Sequence, residues 1–550
     1  MKPKLEELSL REKIGQTACF AHDLRFSELE DLSSYFAHNP IGVLWTTSTD
    51  HAIFRQVECD RGNPELKGLY DELLINYINH ANRHMRIPVM QVMDADNGIQ
   101  FDGHINTLPT AASLGAANDP ELAYRYGNVL GKDMHSMGLR WLWRPVADNA
   151  GHFITTRVMS NYYESNKTLL PAFIQGLQDA GVAACGKHFP GADPYEYRDS
   201  HFCTTSISLS YEAWEATQCR EFQACIDAGV ASIMIGHSTF KAVDDTMVNG
   251  RLLPSTLSYK VITELLKEKM GFKGVVISDH ISMKALTAIY PYEKLYVELL
   301  RAGNDMILDP QHLNYIDIVE EAVLRGDLPE SRIDDACQRI LDMKERFGLF
   351  EQGEIPYLTA AQKKTIADDV HTLCQDVAAK GMTLTANRTG FLPIDEKKIR
   401  KVKMVYIGYS GWCYHMLQHA VEEFARHGAV CDLQEGFTDE DNKTLDEYDL
   451  IVYATFISMH MPMGGQAFYG EKCNMMRKIM TVATEKSVGV SFGNPDVFFN
   501  YFTAAHSFVN CYSINPDTII GFVKGLYGEL DFTDNAPYPL NPITRTNDVY

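Results

Sequence analysis

Three polar groups in this chain stand where side chains can do chemistry. Lys187-His188-Phe189-Pro190-Gly191 follows Gly181 to Cys185, a run of Val and Ala bounded by glycine in the manner of a buried strand. The charged residues begin where that strand ends. Ala192 to Arg198 is polar, and Asp193-Pro194 favours a turn, so Asp199-Ser200-His201 is expected on a loop above the strand end. A carboxylate two residues from an imidazole can hold one ring nitrogen and leave the other to give or take a proton. A second apolar run, Gly274 to Ser278, ends in Asp279. An acid there is held stiffly and partly dried, which suits a nucleophile on a sugar carbon or a metal ligand. Taken singly, Asp279 could also cap the next helix and His201 could be an ordinary loop histidine.

The elements around these groups alternate. Ile41 to Trp45, Pro88 to Met93, Leu139 to Val146, Gly181 to Cys185, Ala231 to Gly236, Gly274 to Ser278 and Asp305 to Leu308 read as strands. Between them lie helical patterns at Leu66 to Met85, Pro120 to Ser136, Thr168 to Ala180, Tyr211 to Ala228, Ser258 to Met270 and Glu293 to Ala302, after an opening helix at Leu8 to Ala18. Such alternation over about 340 residues predicts a (β/α)8 TIM-type barrel, whose active site gathers at the C-terminal ends of the strands. Asp94, Lys187, His188, His237 and Asp279 each fall at such an end.

The barrel domain is expected over 1–352, closing with the helix Asp334 to Phe347 and Gly348. Residues 353–380 read as a linker and connecting helix. A smaller α/β domain follows over 381–550, with strands at Val402 to Ile407, Ala429 to Leu433, Asp449 to Thr455, Val488 to Phe492 and Phe508 to Tyr512. Five parallel strands with intervening helices predict a flavodoxin-like three-layer sandwich. Its first turn, Gly408-Tyr409-Ser410-Gly411-Trp412, lacks a Gly-x-Gly-x-x-Gly fingerprint, so no dinucleotide cofactor is expected.

Composition bounds the partners. Hydrophobic residues make up 45% and charged residues 22%, ordinary for a soluble globular protein. A net charge of -22 argues against nucleic acid and anionic membrane surfaces. Met1-Lys2-Pro3-Lys4-Leu5-Glu6-Glu7 does not resemble a signal peptide and no run is long enough to span a bilayer, so a cytoplasmic protein is expected. The 12 cysteines include no Cys-x-x-Cys pair, and several, such as Cys185 and Cys225, lie in apolar elements, predicting reduced core thiols. Histidines do not cluster at ligand spacing on one element, so no metal site is expected. A small-molecule partner and a possible homodimer complete the reading.

Long motifs carry a family resemblance. Lys187-His188-Phe189-Pro190-Gly191, Asp199-Ser200-His201 and Gly271-Phe272-Lys273-Gly274-Val275-Val276-Ile277-Ser278-Asp279 with Met283 resemble glycoside hydrolase family 3, in its β-N-acetylglucosaminidase branch. Leu8 to Gln16, Ala302-Gly303-Asn304-Asp305-Met306 and Ile340 through Phe350 are similar to the same family. The resemblance implies a retaining glycosidase acting on a small carbohydrate without a cofactor, in which Asp279 attacks the anomeric carbon. It implies that His201, oriented by Asp199, protonates the departing oxygen and later activates the acceptor. Histidine suits that role because its unperturbed pKa of about 6.5 lies near working pH. By the same resemblance Lys187, His188, Asp94, His237 and Arg157 bind the sugar.

The chain also departs from the family pattern. Asp94-Ala95-Asp96-Asn97-Gly98 replaces Asp-Gln-Glu-Gly-Gly, and Asp102 stands where a sugar-binding Arg is usual. Ala192-Asp193 replaces His-Gly, Val158-Met159-Ser160 follows Arg157, and His280 follows the nucleophile position where an acid or small residue is common. These changes bear on sugar specificity. Hydrolysis of terminal β-linked N-acetylhexosamine, phosphorolysis of the same bond, and sugar binding without catalysis are the three readings the sequence leaves open.

Overall fold

The computed structural model of the chain describes residues 1–21, 32–47, 70–101, 104–149, 155–193, 195–196, 198–457, 467–479 and 485–539. Asp102 and residues 66–69 of the expected second helix lie outside the described residues. By contacts the chain divides into two compact units that interleave in sequence: Met1–Thr107, Ala123–Asn149 and Leu170–Asp368 form one, and Leu108–Leu122, Ala150–Leu169 and Asp369–Tyr550 the other. Two segments expected within the barrel domain, 108–122 and 150–169, thus group with the second unit, and the connecting helix is divided between the two units.

The first helix starts because Ser9 caps it. Its hydroxyl accepts the Glu12 amide at 3.2 Å, and the Glu12 carboxylate accepts the Ser9 amide at 2.8 Å. The expected span ran to Ala18. The helix Leu10–Gln16 instead closes on Thr17, whose amide and hydroxyl both return to the Ile14 carbonyl, and the chain passes into a strand. That strand, β1 (Ala18–Ala21), has its first three residues buried, and so short an apolar run carries no periodicity to tell strand from helix.

Seven further strands follow: β2 (Val43–Thr47), β3 (Met90–Asp94), β4 (Leu139–Leu142), β5 (Ala183–Phe189), β6 (Ser232–Ile235), β7 (Val275–Ser278) and β8 (Ile307–Leu308). All pairings are parallel, in the order β7-β6-β5-β4-β3-β2-β1-β8. A parallel bridge from Ile277 to Met306 joins the last two and closes the barrel. Inside it Trp141, Trp143, Val92, Cys185, Met234, Val275 and Leu308 pack into one core. Trp141 spends its indole N–H on Ser232 Oγ at 2.8 Å, so this buried indole leaves no polar group unpaired. Helix Glu330–Arg346 adds Ile340 and Met343 to the same core. The helix expected over Tyr211 to Ala228 is two helices, Tyr211–Ala216 and Gln218–Asp227, because Thr217 between them is not helical.

The second unit contains a six-stranded mixed sheet: β9 (Thr383–Asn387), β10 (Lys401–Gly408), β11 (Val430–Glu435), β12 (Leu450–Phe456), β13 (Ser487–Ser491) and β14 (Ser507–Asn510). The order β11-β10-β12-β13-β14 is flavodoxin-like and parallel. Sequence reading missed β9, which pairs antiparallel with β14 at the sheet edge. Its residues TLTAN alternate weakly in burial, so their placement depends on the β14 edge. No helix among the described residues is long and apolar enough to cross a membrane.

Candidate active site

Asp279 is the first residue past β7, tied through both its amide and its carboxylate. Its amide donates to the Ile235 carbonyl at 3.0 Å, and its Oδ1 accepts the His280 amide at 2.7 Å. Burial pushes its carboxyl up. The fields of His188 and His237, the His280 amide and Lys187 outweigh that and hold it down to about 2. Asp279 is therefore an ionised carboxylate at any ordinary pH, fit to attack or to ligate and unfit to donate a proton.

The neighbouring strand ends supply the groups that make this possible. Lys187, in β5 and almost wholly buried, donates to Asp94 Oδ1 at 2.9 Å at the end of β3. The next residue is aimed differently: the register of β5 against β6 shifts between Lys187 and Phe189, and a bulge of this kind redirects a side chain. His188 turns to Asp148, whose Oδ2 accepts both its amide at 3.2 Å and its Nδ1–H at 2.7 Å. His237 lies two residues past β6, with Nδ1 at 2.6 Å from Thr256 Oγ1 and Nε2 donating to the His280 carbonyl at 3.0 Å. Burial lowers its pKa while the Asp279 charge pulls the other way.

The expected dyad forms on the loop after β5. Asp199 Oδ1 accepts the His201 amide at 2.9 Å and Nδ1–H at 2.6 Å, so in the neutral ring the lone pair is on Nε2. The base of this loop is pinned from the helices behind it: Trp214 Nε1 donates to the Pro190 carbonyl at 2.7 Å and the Gln218 amide to the Ala192 carbonyl. Its far end is held as well, because the His201 carbonyl accepts the Lys284 amide at 3.5 Å, five residues beyond Asp279.

The barrel unit thus brings Asp94, Lys187, His188, His237 and Asp279 together at the strand ends and ties the Asp199–His201 loop to the segment after Asp279. Arg157 is the one sequence-predicted site residue that groups with the second unit. It is buried on the short turn Thr155–Arg157, which belongs to the second unit. Sequence reading also missed Asp148 and Asp309. Asp309 directly follows β8, accepts the Ala21 amide on Oδ1 at 3.2 Å, and lies 3.1 Å through Oδ2 from His280 Nε2. Both obey the rule that singled out Asp94, an acid just beyond an apolar strand, so the signal was present and was not applied. Trp45, at 5.4 Å from Trp143 and 5.9 Å from His280, adds an aromatic wall. Among the described residues no group of three or more His, Cys, Asp or Glu side chains is arranged to hold a metal ion.

Comparison with known proteins bears on this arrangement. Residues 11–343 match the model of the glycosyl hydrolase family 3 N terminal domain. The chain is 26% identical over 481 residues to a β-N-acetylglucosaminidase/β-glucosidase of Cellulomonas fimi, covering 80% of this chain and 81% of that protein. It is also 26% identical over 326 residues to the probable β-glucosidase L of Aspergillus fumigatus, spanning 56% of this chain and 41% of that protein. In fold it is similar to the β-glucoside phosphorylase BglX (TM-score 0.80, 19% identity, covering 97% of this chain and 94% of that one). A family 3 β-N-acetylglucosaminidase from Paenibacillus sp. str. FPU-7 matches as well (TM-score 0.80, 22% identity, 97% and 99%).

Proposed function

Since the chain belongs to glycosyl hydrolase family 3, we propose that it is a retaining glycosidase that releases terminal β-linked N-acetylhexosamine, N-acetylglucosamine foremost. The observation that carries this reading is the pairing of an ionised carboxylate, Asp279, with an imidazole, His201, on a loop tied to the segment that follows that carboxylate. In this scheme a carboxylate oxygen of Asp279 bonds to the anomeric carbon as the bond to the leaving oxygen breaks. The imidazolium of His201 gives its Nε2 proton to that oxygen. Nε2 then takes a proton from water, which attacks the anomeric carbon and returns Asp279 to its free form. Asp199 keeps Nδ1 protonated and the ring oriented throughout. Lys187, His188, Asp94 and His237 are assigned to the sugar hydroxyls, and Arg157 to the same sugar. The hexosamine assignment draws on the names of the Cellulomonas and Paenibacillus proteins.

A second reading has a specific physical ground. A carboxylate acid/base would repel an incoming phosphate by about 4 kcal/mol at 4 Å and an effective dielectric of 20, whereas a neutral imidazole would not. Phosphorolysis is thereby accessible to the same site, and a structural neighbour is a β-glucoside phosphorylase.

The test is turnover of p-nitrophenyl β-N-acetylglucosaminide with and without phosphate, beside Asp279→Ala and His201→Ala. Loss in both variants supports the scheme, and a rate gain with glycosyl phosphate as product supports phosphorolysis. Turnover of β-glucosides alone would replace the sugar assignment. A wild type that cleaves no β-glycoside, and is not labelled at Asp279 by a fluorinated glycosyl donor, would mark a sugar-binding scaffold.

A further inference from the structure

The five residues after Asp279 touch three other parts of the barrel rim. The His280 carbonyl accepts His237 Nε2–H at 3.0 Å, beyond β6. The His280 side chain reaches Asp309 Oδ2 at 3.1 Å, beyond β8. The Lys284 amide donates to the His201 carbonyl at 3.5 Å, on the loop after β5. Within the segment, the Ser282 amide lies 3.3 Å and its hydroxyl 2.7 Å from His280 Nδ1. An amide only donates, so Nδ1 accepts and in the neutral ring the proton sits on Nε2, 3.1 Å from Asp309 Oδ2. Both nitrogens of His280 thus face partners inside the chain.

The join that this ring spans is short. β8 has two residues, and β7 meets it through the bridge from Ile277 to Met306 and the Leu308 amide on Ser278 Oγ at 3.0 Å. Asp309 is itself fixed from two further sides, by the Ala21 amide at 3.2 Å and Gln311 Nε2 at 2.7 Å. Its backbone holds φ 56°, a left-handed conformation that Asp tolerates better than most non-glycine residues.

We propose that His280 is a positioning residue: through Asp309 and Ser282 it sets the place of the 279–284 segment, and so the separation between the Asp279 carboxylate and the His201 imidazole. The proposal rests on the roles given to those two residues above. A retaining mechanism tolerates little error in that spacing, since attack and proton delivery occur on opposite sides of one breaking bond. His280 would therefore govern how far protonation keeps pace with bond cleavage.

The experiment compares two aryl glycosides of the sugar that the wild type turns over. A 2,4-dinitrophenyl group leaves without a proton, and a p-methoxyphenyl group needs one. In His280→Ala, kcat/KM on the p-methoxyphenyl substrate is expected to fall about 100-fold, the scale of an ångström misplacement, and on the dinitrophenyl substrate only a few-fold. Ser282→Ala, which keeps the ring, should show the same asymmetry more weakly and carries the test if His280→Ala does not fold. His280→Gln, whose amide offers one donor and one acceptor, should recover most of the loss. Equal losses on both substrates in the folded variants, or no loss in any of them, would overturn the proposal. Wild-type inactivity, or an Asp279→Ala variant that still turns over, would instead overturn the assignment of nucleophile and acid/base, and this proposal with it.

Discussion

Asp148 and Asp199 treat two histidines alike: one carboxylate oxygen accepts both the backbone amide and the Nδ1–H of its partner, fixing ring and tautomer together. The consequences should differ with the histidine's task. Asp199→Asn weakens the orientation and charge behind the acid/base, so kcat should fall roughly 10²–10⁴-fold with KM little changed. Asp148→Asn disturbs a group assigned to the sugar, and kcat/KM should fall about 10–100-fold, the range of a charge-assisted hydrogen bond. The depressed pKa of Asp279 also fixes a sign. Its folded-state stabilisation is present above the unfolded pKa and is lost only as pH falls toward about 2. A pH profile of kcat/KM should therefore show no limb from Asp279 above pH about 4.

At the scale of elements, the turn after β5 and the last barrel helix carry separate predictions. Gly191 has φ 110°, and a Cβ placed there would meet the Gln218 amide that holds the Ala192 carbonyl. Gly191→Ala should lower stability by about 1–3 kcal/mol and cost activity as well, because the strained turn bears the Asp199–His201 loop; urea melts and initial rates check both. On helix Glu330–Arg346, Lys344 is buried, donating to Gln16 Oε1 at 2.6 Å and the Pro88 carbonyl at 2.8 Å, both uncharged. Burial pushes its pKa down to about 7. Between that value and the unfolded lysine value near 10.4, the unfolded chain binds a proton the folded one has released, so this residue makes stability rise with pH. Lys344→Met should remove up to about 1.4 kcal/mol per pH unit from that slope, read from urea melts between pH 7 and 9.5.

For the molecule as a whole, the interleaving of the two units matters most. Within the second unit, Thr110 donates its amide to Ser513 Oγ at 2.6 Å, Asn535 reaches the Ala116 carbonyl at 2.7 Å, and Ser160 Oγ donates to the Pro537 carbonyl at 2.8 Å. Lys380 pairs with Asp119 at 2.6 Å. A fragment ending at residue 352 strips all these partners from 108–122 and 150–169. It should not fold as a stand-alone barrel: proteolysis should nick those two segments first, and its thermal transition should be broad beside that of the full chain.

Alternation of apolar strands and amphipathic helices was enough to determine a barrel followed by a flavodoxin-like sheet, because each period reports a local backbone geometry and the parallel connection admits few topologies. The same reading put Asp279, Lys187, His188, His237 and Asp94 at strand ends, where the structure has them, since a polar residue terminating an apolar strand is a local pattern. Two elements escaped it: β1 continues directly from the opening helix and reads as its end, and β9 alternates weakly in burial, its partner β14 lying about one hundred residues away. Tertiary structure alone decided the pairings. Which acid holds which histidine, Asp148 to His188 across 40 positions and Asp309 to His280, depends on strand order and on the bulge in β5. It also decided that Arg157 groups with the second unit, because contacts between distant segments are made by packing and leave no local mark in the chain.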